Sequence, residues 1–148
     1  MKNLFKICFI SFISTITLFA SSEKEVKELV IQANEYCENN GLDECIKVFN
    51  NKDPRFTKGE LYIFVSKFSG DTLAHGGNTK LVGKNLLNVK SPSGIYPTLE
   101  FVKIATGSGS GWVEYKWSHP ISKNIADKKA FITRFKNEDI FIGSGYYK

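Results

Sequence analysis

Across residues 22–40 the apolar positions Val26, Leu29, Val30, Ala33 and Cys37 recur at intervals of three and four, one face of an amphipathic helix. Ser22 followed three residues later by Glu25 is a capping-box start, and Asn39-Asn40-Gly41 is a stop signal. Residues 42–50 predict a shorter helix, with Asp43 as its cap and Ile46 and Phe49 inward, and a loop containing Pro54 follows over 51–59. The pattern then changes period. Leu61-Tyr62-Ile63-Phe64-Val65 is β-branched and aromatic, Ser69-Gly70-Asp71 turns the chain, and residues 72–75 return it as a second strand. Residues 76–94 are loop-rich, anchored by Leu81, Leu86 and Leu87, and a short helix runs from Pro97 to Ala105, ended by Gly107. Three further strands are expected at 112–118, 128–135 and 140–147, with Asn137-Glu138-Asp139 as a hairpin turn between the last two. Helices followed by strands in this order predict an α+β domain, helices packed on an antiparallel sheet. No repeat, linker or low-complexity segment interrupts it.

The first 22 residues have a different character. Lys2 and Lys6 give a basic start, an uncharged apolar run extends from Ile7 to Ala20, and Ser21-Ser22 precede the charged Glu23-Lys24-Glu25. This is the layout of a secretory signal peptide, residues 1–22, cut after Ser22 or after Ala20, and it predicts export to the periplasm. The alternative is an uncleaved inner-membrane anchor. A helix of that apolar run reaches only about 21 Å, against a hydrocarbon core of about 30 Å. Cys8 stands too early for a lipoprotein cysteine. Cys37 and Cys45 remain in the domain at 23–148, as a disulfide closing a short loop in an oxidising compartment or as two buried thiols.

At 148 residues with 42% hydrophobic content the chain suffices for one domain with a core. Its formal charge of +5 is spread along the chain. With no basic block and no recognisable module, nucleic acid is not the expected partner.

Several motifs resemble the single Cache domain type 2 family. Glu60-Leu61-Tyr62-Ile63-Phe64-Val65 with Gly70 and Leu73-Ala74-His75 resembles its opening sheet, and Leu81-Val82-Gly83-Lys84-Asn85-Leu86 its LVGKNL segment. Gly111-Trp112-Val113, Tyr115, Trp117 and Pro120 resemble its GWVxYxWxxP strand. Lys128 stands where the next family strand opens with lysine, and Gly143-Ser144-Gly145-Tyr146-Tyr147 resembles the closing GxGxY. The resemblance implies a PAS-like fold: a long N-terminal helix on one face of a five-stranded antiparallel sheet, with a ligand pocket under the irregular middle on the other. It also implies an extracytoplasmic sensor of the kind found in chemoreceptors and histidine kinases. The ligands it implies are small carboxylates such as acetate, propionate, pyruvate or lactate. The sequence departs from the family at Phe131, where tyrosine is common, and at Gly76, where proline usually follows the histidine. It carries no C-terminal membrane helix or signalling domain, so a separate membrane receptor or transporter is the expected partner, with a homodimer as a further expectation.

A carboxylate in a partly dry pocket needs a cation or several donors. Lys128 is the candidate cation, the alternative being an ordinary surface lysine. His75, Tyr115, Trp117 and Trp112 offer imidazole, phenol and indole donors on flat walls. Strand alternation sets Tyr115 and Trp117 on one face and Trp112 on the other, so Trp112 is core, or pocket if the strand is irregular near Gly111. His75 and His119 lack acidic residues at ligand spacing, so no metal is expected, and His119 is expected in a solvent-exposed turn. Gly107-Ser108-Gly109-Ser110-Gly111 lacks the P-loop lysine and a serine at its centre, and no haem motif occurs. No cofactor and no catalysis are therefore expected. The competing expectation is an interaction protein that kept the fold and lost the pocket.

Overall fold

A computed structural model describes residues 22–136 and 138–148; the expected leader and Asn137 of the expected hairpin turn lie outside the described residues. Helix α1, Glu23–Asn40, starts with the capping box: Ser22 N donates to Glu25 Oε2 at 2.8 Å, and Glu25 N donates to Ser22 Oγ at 3.3 Å. It ends at Gly41, whose φ of 87° lies in the region glycine enters without strain. Gly41 is also the N-cap of α2, Leu42–Asn50. Asp43 therefore sits in the first turn of α2, where its charge meets the helix dipole, and is not the cap expected from sequence. Cys37 and Cys45 are disulfide-bonded with their Cα atoms 5.2 Å apart, tying the end of α1 to α2.

The expected strand at 61–65 is interrupted at Ile63. Strand β2, Leu61–Tyr62, pairs with a two-residue strand β1, Thr57–Lys58, and β3, Phe64–Lys67, belongs to the main sheet. Strand β4 is Thr72–His75, α3 is Pro97–Thr106, and the long strands are β5 (Ser110–Ser118), β6 (Ile125–Arg134) and β7 (Ile140–Tyr147). The sheet order is β4-β3-β7-β6-β5, antiparallel throughout, so the last strand of the chain is the central one. A register shift between Val65 and Ser66 bulges β4, so Thr72 and His75 both face the same side.

Each strand sends alternate side chains to two separate cores. On one face α1 and α2 bury Val26, Val30, Ala33 and Phe49 against Ile63, Val65 and Ile142. On the other, α3 buries Phe101 and Ala105 against Val113, Tyr115, Ile132 and Phe141. The 76–94 segment folds back over β4. Thr72 N donates to Lys84 O and Gly83 N to Thr72 O, both at 2.9 Å, and a 3₁₀ turn occupies Thr79–Leu81. The LVGKNL residues thus act as an extra, irregular strand pinning the start of β4. Replacing both cysteines by serine should lower the unfolding free energy by about 2–3 kcal/mol. Urea denaturation of both proteins measures this; equal midpoints would show that helix packing alone holds the α1–α2 corner.

Candidate ligand-binding site

Between α3 and the sheet lies a cavity of about 30 Å³, room for two or three water-sized groups at about 10–15 Å³ each. Phe64, His75, Phe101, Tyr115 and Trp117 form its aromatic part, and Ser66, Thr72 and Thr98 contribute hydroxyls. Three of the sequence-derived candidates, His75, Tyr115 and Trp117, therefore share one wall. Trp112 does not join them. The strand stays regular through Gly111, so Trp112 faces α1, its ring 5.1 Å from that of Phe131 and 5.9 Å from the Lys27 ammonium. Phe131 is on that same helix-side face, so its departure from the family pattern leaves the cavity untouched.

Lys128 is not a surface residue. It is 1% exposed and lies one ring deeper than the cavity wall, its Nζ 4.1 Å from the Tyr62 ring centroid, 5.1 Å from Tyr147 and 5.5 Å from Phe64. Its route there crosses the central strand. A Cβ at Gly145 would come within 2.8 Å of Lys128 Cε, and one at Gly143 within 2.5 Å of the Phe64 ring. The two glycines of the closing motif are the floor over which these side chains lie.

The hydrogen bonds beyond Lys128 have a fixed direction. Tyr147 Oη donates to Ser118 O at 2.9 Å, so it accepts from Tyr62 Oη at 3.3 Å. Tyr62 in turn accepts from Lys128 Nζ at 2.6 Å. Burial pushes the Tyr62 and Tyr115 phenols well above their ordinary range and Tyr147 up to about 12, which keeps all three protonated. Desolvation pulls Lys128 down to about 7, opposed by the field of Glu60. Glu60 accepts from Tyr147 N at 3.3 Å and faces His119 Nε2 at 3.4 Å. His119 Nδ1 accepts from Ile121 N and Ser122 N, both at 3.2 Å, so its proton sits on Nε2, toward Glu60. His119 is thus half-buried against Tyr147, ring centroids 4.6 Å apart, rather than the exposed turn residue its sequence context suggests.

His75 accepts from Asn78 N at Nδ1 at 3.0 Å, which leaves Nε2 as a donor, and its ring lies tilted against that of Tyr62, centroids 4.9 Å apart. Burial, with Lys128 nearby, pushes it down to about 3. Sequence reasoning missed Tyr62, Glu60 and Tyr147 as site residues. The alternation of Tyr62 and Phe64 with Leu61, Ile63 and Val65 carried the signal for the first. Nothing local signalled Glu60, which acts from outside the sheet. Among the described residues no group of three or more His, Cys, Asp or Glu side chains converges on a metal-sized site, and no helix is long and apolar enough to cross a membrane.

A helix-backed antiparallel sheet with a small polar and aromatic cavity on its opposite face defines an α+β domain with a candidate ligand site. The chain belongs to the Cache domain family, whose model matches residues 21–148. Over 86 residues, 58% of this chain, it is 30% identical to the sensor histidine kinase MctS of Rhizobium johnstonii. Over the same length it is 29% identical to the methyl-accepting chemotaxis protein McpP of Pseudomonas putida. The chain spans 18% and 16% of the lengths of those two receptors. One similar structure is a Cache chemosensory domain described for carboxylic acid recognition, with a TM-score of 0.71 and 20% identity over 84% of this chain and 91% of that one. A methyl-accepting chemotaxis protein from Vibrio parahaemolyticus gives 0.72 at 18% identity, covering 84% and 86%. The periplasmic sensor domain of a chemotaxis protein gives 0.65 at 26%, covering 82% and 86%. The fold is shared with these structures.

The neutral, buried His75 ties stability to pH. Its pKa is about 3 in the fold against 6.5 ordinarily, so its contribution is complete above about pH 6.5 and is lost as pH falls toward 3. The full loss is on the order of 5 kcal/mol. Urea midpoints measured from pH 7 to 4 should fall more steeply for the native protein than for His75→Asn, and parallel profiles would contradict this assignment.

Proposed function

We propose that this protein is a periplasmic sensor module that binds a short monocarboxylate such as acetate, propionate, pyruvate or lactate, and reports its occupancy to a separate membrane receptor or transporter. One observation carries the reading. Lys128 is fully buried beside the cavity, and its amine meets a phenol and three ring faces but no carboxylate among the described residues. A buried charge is costly unless paired, so an anion entering the cavity supplies what the fold leaves out. Tyr115 is the cross-strand neighbour of Lys128 and lines the cavity, and with His75 Nε2 and the Trp117 indole it offers donors to the carboxylate. The chemosensory domain noted for carboxylic acid recognition shares the fold, which supports the ligand class. The matches to a histidine kinase and a chemotaxis receptor support the sensing role, and the basic and apolar leader supports export.

The amine also sets the pH dependence. With its pKa held near 7, Lys128 is largely neutral above that pH, and binding an anion draws a proton onto it. Affinity for acetate should therefore weaken as pH rises from 6 to 9. An acid at about a hundred times its dissociation constant should stabilise the protein by about 2.7 kcal/mol, several degrees in Tm. Lys128→Met should fold at least as stably as the native protein and lose this response. If no acid shifts the Tm, or if Lys128→Met responds equally, the carboxylate reading fails, and a ligand-free interaction module on the same fold becomes the better description.

A further inference from the structure

A plain alkanoic acid leaves one end of the cavity unserved. Thr72 lines the cavity and is 2% exposed, and its Oγ1 is buried without a hydrogen-bond partner among the described residues. Its backbone is held at both ends by Lys84 O and Gly83 N, so the strand cannot turn the hydroxyl elsewhere. Ser66, its cross-strand partner, is 5% exposed and lines the same end, and Thr98 of α3 lies there too. Leu86 and Phe141, which also line the cavity, present apolar side chains. Along β3, Ser66 is two residues from Phe64, which pairs with His75, so the hydroxyl end and the imidazole end are about 7 Å apart.

We propose that Thr72, with Ser66 opposite, makes the site selective for acids bearing an oxygen beyond the carboxylate, the 2-hydroxy and 2-oxo acids of three carbons, over the plain acid of the same size. This rests on the carboxylate reading and specifies it. The carboxylate sits toward His75 and Tyr115, and the second oxygen meets the Thr72 hydroxyl. A plain three-carbon acid fills the same volume with a methylene or methyl group and leaves that buried hydroxyl unpaired. A site built around such a hydrogen bond discriminates against the ligand that lacks it.

Calorimetric titration of the purified, disulfide-bonded protein with lactate, pyruvate and propionate tests this. Lactate or pyruvate should bind at least about tenfold more tightly than propionate. In Thr72→Val, of nearly the same shape, the preference for lactate or pyruvate over propionate should fall to within about twofold. Thr72→Ser, which keeps the hydroxyl, should restore the preference. Equal affinities in the native protein, or a Thr72→Val that weakens all three acids alike, would overturn the selectivity while leaving the carboxylate reading standing. No binding by any of the three would overturn both.

Discussion

Lys128 reaches Tyr62 by lying across the central strand, and the strand admits it because residues 143 and 145 have no side chains. Most of the site follows from that crossing. The amine enters a cage of Tyr62, Phe64 and Tyr147, whose ring faces favour a cation but cannot neutralise one. Tyr62 donates its own O–H to Tyr147, and Tyr147 donates its O–H to Ser118 O of β5. The chain of donors ends on the Ser118 carbonyl.

The sheet tolerates this because it keeps two sets of accounts for packing. The α1 face is apolar and closed by a disulfide, and it secures the domain without the other side. The α3 face mixes rings with an amine, an imidazole and several hydroxyls, an arrangement that would be a poor sole core. Glu60 and His119 link the two long-range parts of the site. The carboxylate contacts the end of β7 and, through the His119 ring, the loop joining β5 to β6, tying the strand that carries Tyr147 to the loop after Trp117.

The helices, the five main strands and their two faces were legible because each follows from a local periodicity. The capping box of α1 and the separation of Trp112 from Tyr115 and Trp117 are of this kind. Where sequence reading stopped short, a long-range contact had decided the outcome. Ile63 breaks a run that reads as one strand, because Leu61 and Tyr62 pair with residues 57–58 while Phe64 onward pairs with β7. His119 precedes a proline in a turn and reads as exposed, but Glu60, remote in sequence, draws it inward. Lys128 was legible as a candidate through family resemblance alone. Its burial depends on two glycines on a neighbouring strand, and nothing near residue 128 announces them.

The capping box has a meaning for how the chain is matured. Its two hydrogen bonds both require Ser22, one through its hydroxyl and one through its backbone N–H. A polypeptide starting at Glu23 has neither, and sets a charged amino terminus on the positive end of the α1 dipole. One starting at Ser21 keeps the cap whole and carries the new charge a residue clear of it. Of the two cleavage points expected from sequence, a cut after Ala20 would leave the capping box whole and a cut after Ser22 would remove it.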